Sequence, residues 1–158
     1  MAMRLLAVGT RMPAWVTAGY KEYARRLSGP YRLDLTEIVP SRWTKSADFG
    51  RLKREEGERL LAALPSTPFV VALDVRGRMR SSEALARDLG AWLATGQSVA
   101  FLVGGAEGLA DACLEAAAER WSLSPLILPH ALVRVVVAEQ LYRAYSFLTG
   151  QPYHRGSD

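Results

Sequence analysis

The sequence predicts an α/β fold: a mostly parallel sheet flanked by helices. Strand-like apolar runs alternate with helix-like segments along the whole chain, the pattern of a sheet wound with crossover helices. Two of the runs, Phe69-Val70-Val71-Ala72-Leu73 and Val99 to Val103, are apolar without interruption, as strands buried on both faces are. The 158 residues, 49% hydrophobic, suffice for the core of one domain without staples.

Taken in order, Leu5 to Val8 reads as the first strand, ending at Gly9-Thr10. Pro13 to Leu27 reads as a helix, with proline preset for its first turn. Tyr31 to Val39 alternates and reads as a strand. Pro40 to Asp48, with Ser, Arg, Trp and Lys, is expected to be a mobile loop. Phe49 to Leu64 has the spacing of a charged amphipathic helix stopped by Pro65. After the strand at Phe69 to Leu73, Ser81 or Ser82 caps a helix to about Leu93, with Glu83 close behind but short of capping-box spacing. The strand at Val99 to Val103 leads to a helix from Leu109 to Glu119. A short apolar stretch, Leu123 to Leu128, follows, and Pro129 starts a last helix running to about Leu148. No repeat or low-complexity segment interrupts the series, and residues 1–158 read as one domain.

Composition narrows the class. The lone Cys113 has no partner for an internal disulfide, which fits a reducing compartment, and its Ala-rich helical setting makes it a small buried hydrophobe. No apolar run approaches the about 18 residues a membrane span requires. Met1 to Gly9 reads as a strand rather than a signal peptide, so a cytoplasmic protein is expected. The net charge is +4, and 17 of the 20 basic residues are Arg. Arginine suits phosphate contacts and base stacking, so the balance permits nucleic-acid binding without requiring it.

Two strand ends carry candidate chemistry. Leu73-Asp74 leads into Val75-Arg76-Gly77-Arg78-Met79-Arg80, and Val103 leads into Gly104-Gly105-Ala106-Glu107-Gly108. Ligands of open α/β sheets sit at the carboxyl ends of strands, where glycine lets backbone approach them. The glycine spacing is neither a dinucleotide fingerprint nor a Walker sequence. It is either a ligand turn or an ordinary strand-to-helix turn. Arg76, Arg78 and Arg80 form either a solvated charge cluster or a grip on RNA backbone.

Trp121 to His130 is apolar and bracketed by Pro125 and Pro129. It is either a buried strand and turn or the wall of a pocket whose backbone groups meet an adenine. In the last helix Arg134 falls inside the apolar arc with Ala138, Leu141 and Tyr145. A buried arginine needs a partner: a carboxylate such as Asp74 or Glu107, or a substrate. Glu139 and Arg143 have the favourable acid-first ion-pair spacing. The tail Pro152-Tyr153-His154-Arg155 is either a frayed end or a source of stacking, acid–base capacity and phosphate binding. His130 and His154 lack any further ligand at metal-site spacing, so no metal is expected.

These segments together resemble the RlmH family of the SPOUT class of methyltransferases. The stretches that carry the resemblance are Ala7-Val8-Gly9-Thr10-Arg11-Met12-Pro13, Leu73-Asp74 with Gly77, Val103 to Gly108, Trp121-Ser122-Leu123-Ser124, Leu128-Pro129-His130, Leu132-Val133-Arg134, Glu139 to Ala144, and Pro152 to Arg155. The resemblance spans essentially the whole chain. It implies an α/β fold with a C-terminal trefoil knot. It implies S-adenosylmethionine-dependent methylation at N3 of pseudouridine 1915 in 23S ribosomal RNA, on the assembled ribosome, by a homodimer without a metal. By the same resemblance Leu73, Gly104 and the run Leu123, Ser124, Pro125, Leu126, Ile127, Leu128 hold the cofactor. The chain departs from the family pattern at Ile127, where Thr is frequent, at Pro125, which removes a backbone donor, at Ala131, and in the terminal Gly156-Ser157-Asp158.

Methylating the imide N3 requires loss of its proton, so a base or an anion-stabilising group is needed. His154 is the candidate base, with Arg155 or Arg134 opposing negative charge and Glu139 the alternative base. Arg76, Arg78, Arg143 and Tyr153 are the candidate RNA contacts. Two rival readings stand beside this one: a non-catalytic ribosome- or RNA-binding module, and a methyltransferase of a different RNA base.

Overall fold

The computed structural model describes residues 3–155. Five strands form one parallel sheet: β1 (Met3–Val8), β2 (Leu33–Ile38), β3 (Pro68–Met79), β4 (Ser98–Val103) and β5 (Glu119–Ser122), in the order β2-β1-β4-β3-β5. Four helices connect them, α1 (Ala14–Ala24), α2 (Phe49–Ala62), α3 (Ser82–Ala94) and α4 (Asp111–Ala116), and a fifth, α5 (His130–Thr149), follows β5. The predicted α/β fold with a parallel sheet is the observed one.

The sheet is covered on both faces, which is why its central strands read as unbroken apolar runs. Met3, Leu5 and Ala7 of β1 and Val99, Phe101 and Val103 of β4 meet Tyr20 of α1, Leu85 and Leu89 of α3, and Val137 and Leu141 of α5. The alternate residues Leu6, Val8, Ala100 and Leu102 meet Leu60 of α2 and Cys113 and Leu114 of α4. Cys113 is fully buried, and burial pushes its thiol up to about 11, so it is the core residue its setting predicts.

Local chemistry sets the helix ends. Asp48 Oδ1 accepts from Arg51 N (3.1 Å) and caps α2. Ser81, rather than Ser82, caps α3 by accepting from Ala84 N at 3.1 Å. Gly150 closes α5 in the left-handed region at φ 73°, a conformation glycine adopts without strain.

Three segments differ from expectation. The residues after Leu73 continue β3 to Met79 instead of forming a loop, and Leu73 and Arg78 both register with Trp121 of β5. Gly77 permits this, since a Cβ there would lie 2.7 Å from the Arg120 carbonyl carbon. The helix expected over Leu109 to Glu119 is only Asp111–Ala116. Ala118 N donates to Val70 O (2.8 Å), and the chain then runs on as β5. Sheet pairing thus overrides the helical preference of an Ala-rich stretch. Finally, the tail is not a frayed end but a short 3-10 helix, Pro152–Arg155, packed back on α5.

The segment Pro40 to Asp48, expected to be mobile, is tied to α2. Glu56 Oε2 accepts from Ser41 N (3.0 Å) and Trp43 Nε1 (2.8 Å), and Arg59 donates to Val39 O and Ser41 Oγ. Among the described residues no helix is long and apolar enough to cross a membrane.

Candidate functional site

A cavity of about 600 Å³ opens at the carboxyl ends of β4 and β5, against the middle of β3, within the range of small-ligand sites. Its lining includes Leu73, midway along β3, and Val103, the last residue of β4, which follow the paired Ala72 and Leu102. One wall is the turn Gly104 to Gly108, closed by Gly108 N donating to Gly105 O at 3.1 Å. Gly104 is required for this closure, because a Cβ there would collide with the Gly108 carbonyl.

The opposite wall is the loop after β5. Ser122 Oγ donates to Ser124 O, and Leu126 N donates to Ser124 Oγ, so two serines hold an apolar loop in shape. Of the expected cofactor residues, Leu73, Gly104, Leu123, Ser124, Leu126, Ile127 and Leu128 line the cavity, while Pro125 shares the loop without lining it. Ile127 is 87% exposed and Leu126 72%, so the rim presents apolar side chains to solvent. The cavity can receive a flat apolar group against these walls, with backbone polar groups at its edges.

His130, the first residue of α5, also lines the cavity, as does Asp74. Burial and then the Arg134 guanidinium hold the His130 pKa below its ordinary value. His130 was visible in the sequence only as a helix-starting histidine without a partner.

Arg134 is 1% exposed, as its place in the apolar arc predicts. Its partner, however, is neither Asp74 nor Glu107. Nη1 donates to Glu37 Oε2 at 2.6 Å and Nη2 to the Gly9 carbonyl at 2.8 Å. The parallel pairing of β1 with β2 brings the end of β2 beside Gly9, a neighbourhood that sequence spacing does not reveal. Arg134 therefore holds the turn after β1 from within.

The three arginines at and just beyond the end of β3 separate. The Arg80 side chain is buried and donates to Asp88 (2.7 Å) and Glu119 (2.6 Å), joining α3 to β5. Arg76 and Arg78 are exposed, with Arg76 3.7 Å from Asp74.

A second cluster lies on the carboxyl half of α5. Glu139 Oε2 accepts from Arg143 Nη2 (2.9 Å) and from the Tyr153 hydroxyl (2.8 Å), so the expected ion pair also binds the tail. The Arg143 guanidinium lies 4.8 Å from the Tyr153 ring centroid. Burial, and then the bond to Glu139, keep the Tyr153 phenol protonated far above its usual range.

His154 stacks on Phe147 at 4.1 Å, and its Nδ1 lies 2.9 Å from Ser146 Oγ. The single Ser146 hydroxyl proton goes to the Arg143 carbonyl at 2.9 Å. With that proton on the carbonyl, Ser146 Oγ accepts from His154 Nδ1–H, and in this tautomer the neutral ring has its free lone pair at Nε2. Arg155 is exposed at the end of this turn. Gly156, Ser157 and Asp158 lie outside the described residues.

The two clusters are separated along α5. Ser146 stands 16 residues beyond His130, about 24 Å at 1.5 Å per residue. Within one chain the structure does not bring His154 to the cavity. Among the described residues no group of three or more His, Cys, Asp or Glu side chains could hold a metal.

Sequence reasoning missed Glu56. It is 2% exposed on the buried face of α2. Leu52, Glu56 and Leu60 follow one another at four-residue spacing, so a carboxylate inside that stripe was the available signal.

Comparison with known proteins adds a lineage to this geometry. A family model described as "Predicted SPOUT methyltransferase" matches residues 1–154. A protein of Methylococcus capsulatus named ribosomal RNA large subunit methyltransferase H is 51% identical over 98% of this chain and 100% of its own length. A protein of the same name from Alkalilimnicola ehrlichii is 56% identical over 98% of this chain and 99% of its own. Among solved structures, a methylase-family protein of Neisseria gonorrhoeae superimposes with a TM-score of 0.54 at 20% identity, over 89% of this chain and 81% of its own. One from Haemophilus influenzae Rd KW20 does so at 0.52 and 16%, over 95% and 69%. At those identities the solved structures speak to the fold alone. The full-length family match and the relatives' identity go further: the chain belongs to the SPOUT methyltransferase family.

Proposed function

We propose that residues 1–158 form one S-adenosylmethionine-dependent methyltransferase domain acting on large-subunit ribosomal RNA in the cytoplasm. The target is N3 of a pseudouridine, on the assembled ribosome. The observation that carries the reading is the cavity at the strand ends, walled by the Gly104 to Gly108 turn and the Leu123 to Leu128 loop. It is found in a chain more than half identical to relatives named for methylating that RNA.

The residues present fit the cofactor. The cavity has the volume for it, its walls are apolar, and Leu73, Gly104 and the loop through Leu128 offer backbone donors and acceptors to an adenine. Pro125 supplies no donor, and Ile127 offers backbone contact and apolar cover only. When bound, the cofactor supplies an activated methyl group for in-line displacement, so positioning contributes much of the rate. The trefoil knot belongs to this proposal as the C-terminal arrangement that would bend the cofactor.

The chain's own residues handle the acceptor's proton. His154, with Nε2 free, is the base, and Arg155 opposes the charge left on the imide. Arg134 commits both terminal nitrogens to Glu37 and Gly9, leaving its buried Nε without a partner among the described residues, and shapes the site from within. Arg76, Arg78, Arg143 and Tyr153 grip the RNA. Because His154 packs about 24 Å along α5 from His130, the tail that serves a cavity comes from a second copy, and the enzyme is a homodimer.

The test is mass spectrometry of ribosomal RNA from a deletion strain, followed by treatment of its ribosomes with purified protein and cofactor. The expected result is one unmethylated pseudouridine whose N3-methyl returns on treatment. A methyl group unchanged in the deletion strain would refute the target.

A further inference from the structure

Glu56 is a buried carboxylate with an unanswered charge beside the cavity. Its Oε2 accepts from two neutral donors, Ser41 N and Trp43 Nε1, and its Oε1 has no hydrogen-bond partner among the described residues. That free oxygen lies 3.1 Å from where a Cβ of Gly105 would stand, and Gly105 lines the cavity. The carboxylate thus packs directly behind a cavity-lining residue that has no side chain.

The nearby cations do not neutralise it. Arg59 is committed to Val39 O and Ser41 Oγ, and Arg134 to Glu37 and Gly9 O. Glu56 takes part in no salt bridge among the described residues. His130, which lines the cavity, has its own Nδ1 buried and unpartnered; burial and the Arg134 guanidinium hold its pKa down against the opposing pull of Glu56. A buried carboxylate paired only with neutral donors destabilises the empty protein. A cation entering the cavity would relieve that cost.

We propose that Glu56 is the counter-charge of the cofactor site: it favours a sulfonium cation in the cavity over the neutral thioether left after methyl transfer. The inference rests on the reading of the cavity as the S-adenosylmethionine site. Transfer breaks the S–CH3 bond and forms N–CH3. The bonding electron pair stays on sulfur, so the positive charge leaves the ligand and the product loses its attraction to Glu56. The same group that strengthens substrate binding thereby speeds product release.

Calorimetry on the full chain with three ligands tests this. S-adenosylmethionine carries the sulfonium, sinefungin carries an ammonium in its place, and S-adenosylhomocysteine carries neither. The Glu56→Gln variant keeps the acceptor for Ser41 and Trp43 and removes the charge. It is expected to bind the two cationic ligands about tenfold more weakly, a loss consistent with one charge acting across several ångströms of protein. Affinity for S-adenosylhomocysteine should change less than twofold. Equal losses for all three ligands, or no loss, would overturn the proposal. If Glu56→Gln lowers the melting temperature, Glu56→Asp decides: it retains the charge and must retain the wild-type preference for cations. Wild-type protein that binds none of the three would instead refute the cofactor reading, and this inference with it.

Discussion

A histidine becomes a useful base when its protonation is directed, and for His154, the proposed base, the Ser146 hydroxyl is the group placed to direct it. Ser146 is fully buried, gives its proton to the Arg143 carbonyl and receives one from His154 Nδ1. His154→Ala is expected to lower single-turnover rates on ribosomes about a hundredfold or more, the usual worth of a positioned base, while the cofactor dissociation constant stays unchanged. Ser146 acts through His154 and is a positioning residue. Ser146→Ala should lower the rate by less and shift the 15N resonances of His154 toward the other tautomer. An unaltered rate in His154→Ala would exclude it as the base. The residues of this cluster were legible in the sequence as reactive types near one another. Their order was not, because Tyr153 and His154 reach Glu139 and Ser146 only after Gly150 reverses the chain.

At the scale of elements, sheet pairing decides what local preference leaves open. β5 has four residues and two of them are buried, too few for a periodic pattern to register. Arg80 depends on it, since its guanidinium joins Asp88 of α3 to Glu119 of β5. The close approach of β3 to β5 rests on Gly77. Gly77→Ala places a methyl group 2.7 to 2.8 Å from the Arg120 and Trp121 backbone, where no flexible side chain can yield. Strands that must part there also disturb Leu73 and Trp121, both on the cavity wall. The variant is expected to lose about 1–3 kcal/mol, typical of an overpacked site, with a weakened cofactor affinity in parallel. Urea denaturation and calorimetry measure the two. Wild-type stability in Gly77→Ala would show that the strands have slack at this position.

For the whole molecule, the separation of cavity and tail is the central constraint. Both lie on α5, one at its first turn and the other on its last, and a straight helix cannot bring its own ends together. A second copy can. Trp15 of α1, 60% exposed next to the helix pair α1–α5, offers an apolar side chain to such a contact. Sedimentation equilibrium is expected to give twice the chain mass. A cavity-disabled chain mixed with a His154→Ala chain should recover activity, because each supplies the half that the other lacks. A monomer that methylates at the full rate would reject this arrangement.

The sequence by itself determined the fold class and the main strands and helices, while the segments that line the cavity were singled out by the family resemblance. These are local or periodic properties: Phe69 to Leu73 and Val99 to Val103 are apolar because both faces of the sheet are covered, and Gly104 is glycine because its turn leaves no room for a Cβ. It also marked Arg134 as buried. Only the tertiary structure decided which groups meet. Arg134 pairs with Glu37, Arg80 with Glu119, and the carboxylate of Glu56 faces Gly105. Each pair is set by strand order and by which helix covers which face. Those are global properties, because a buried charge takes whatever partner the packed sheet brings within reach, however distant in the chain.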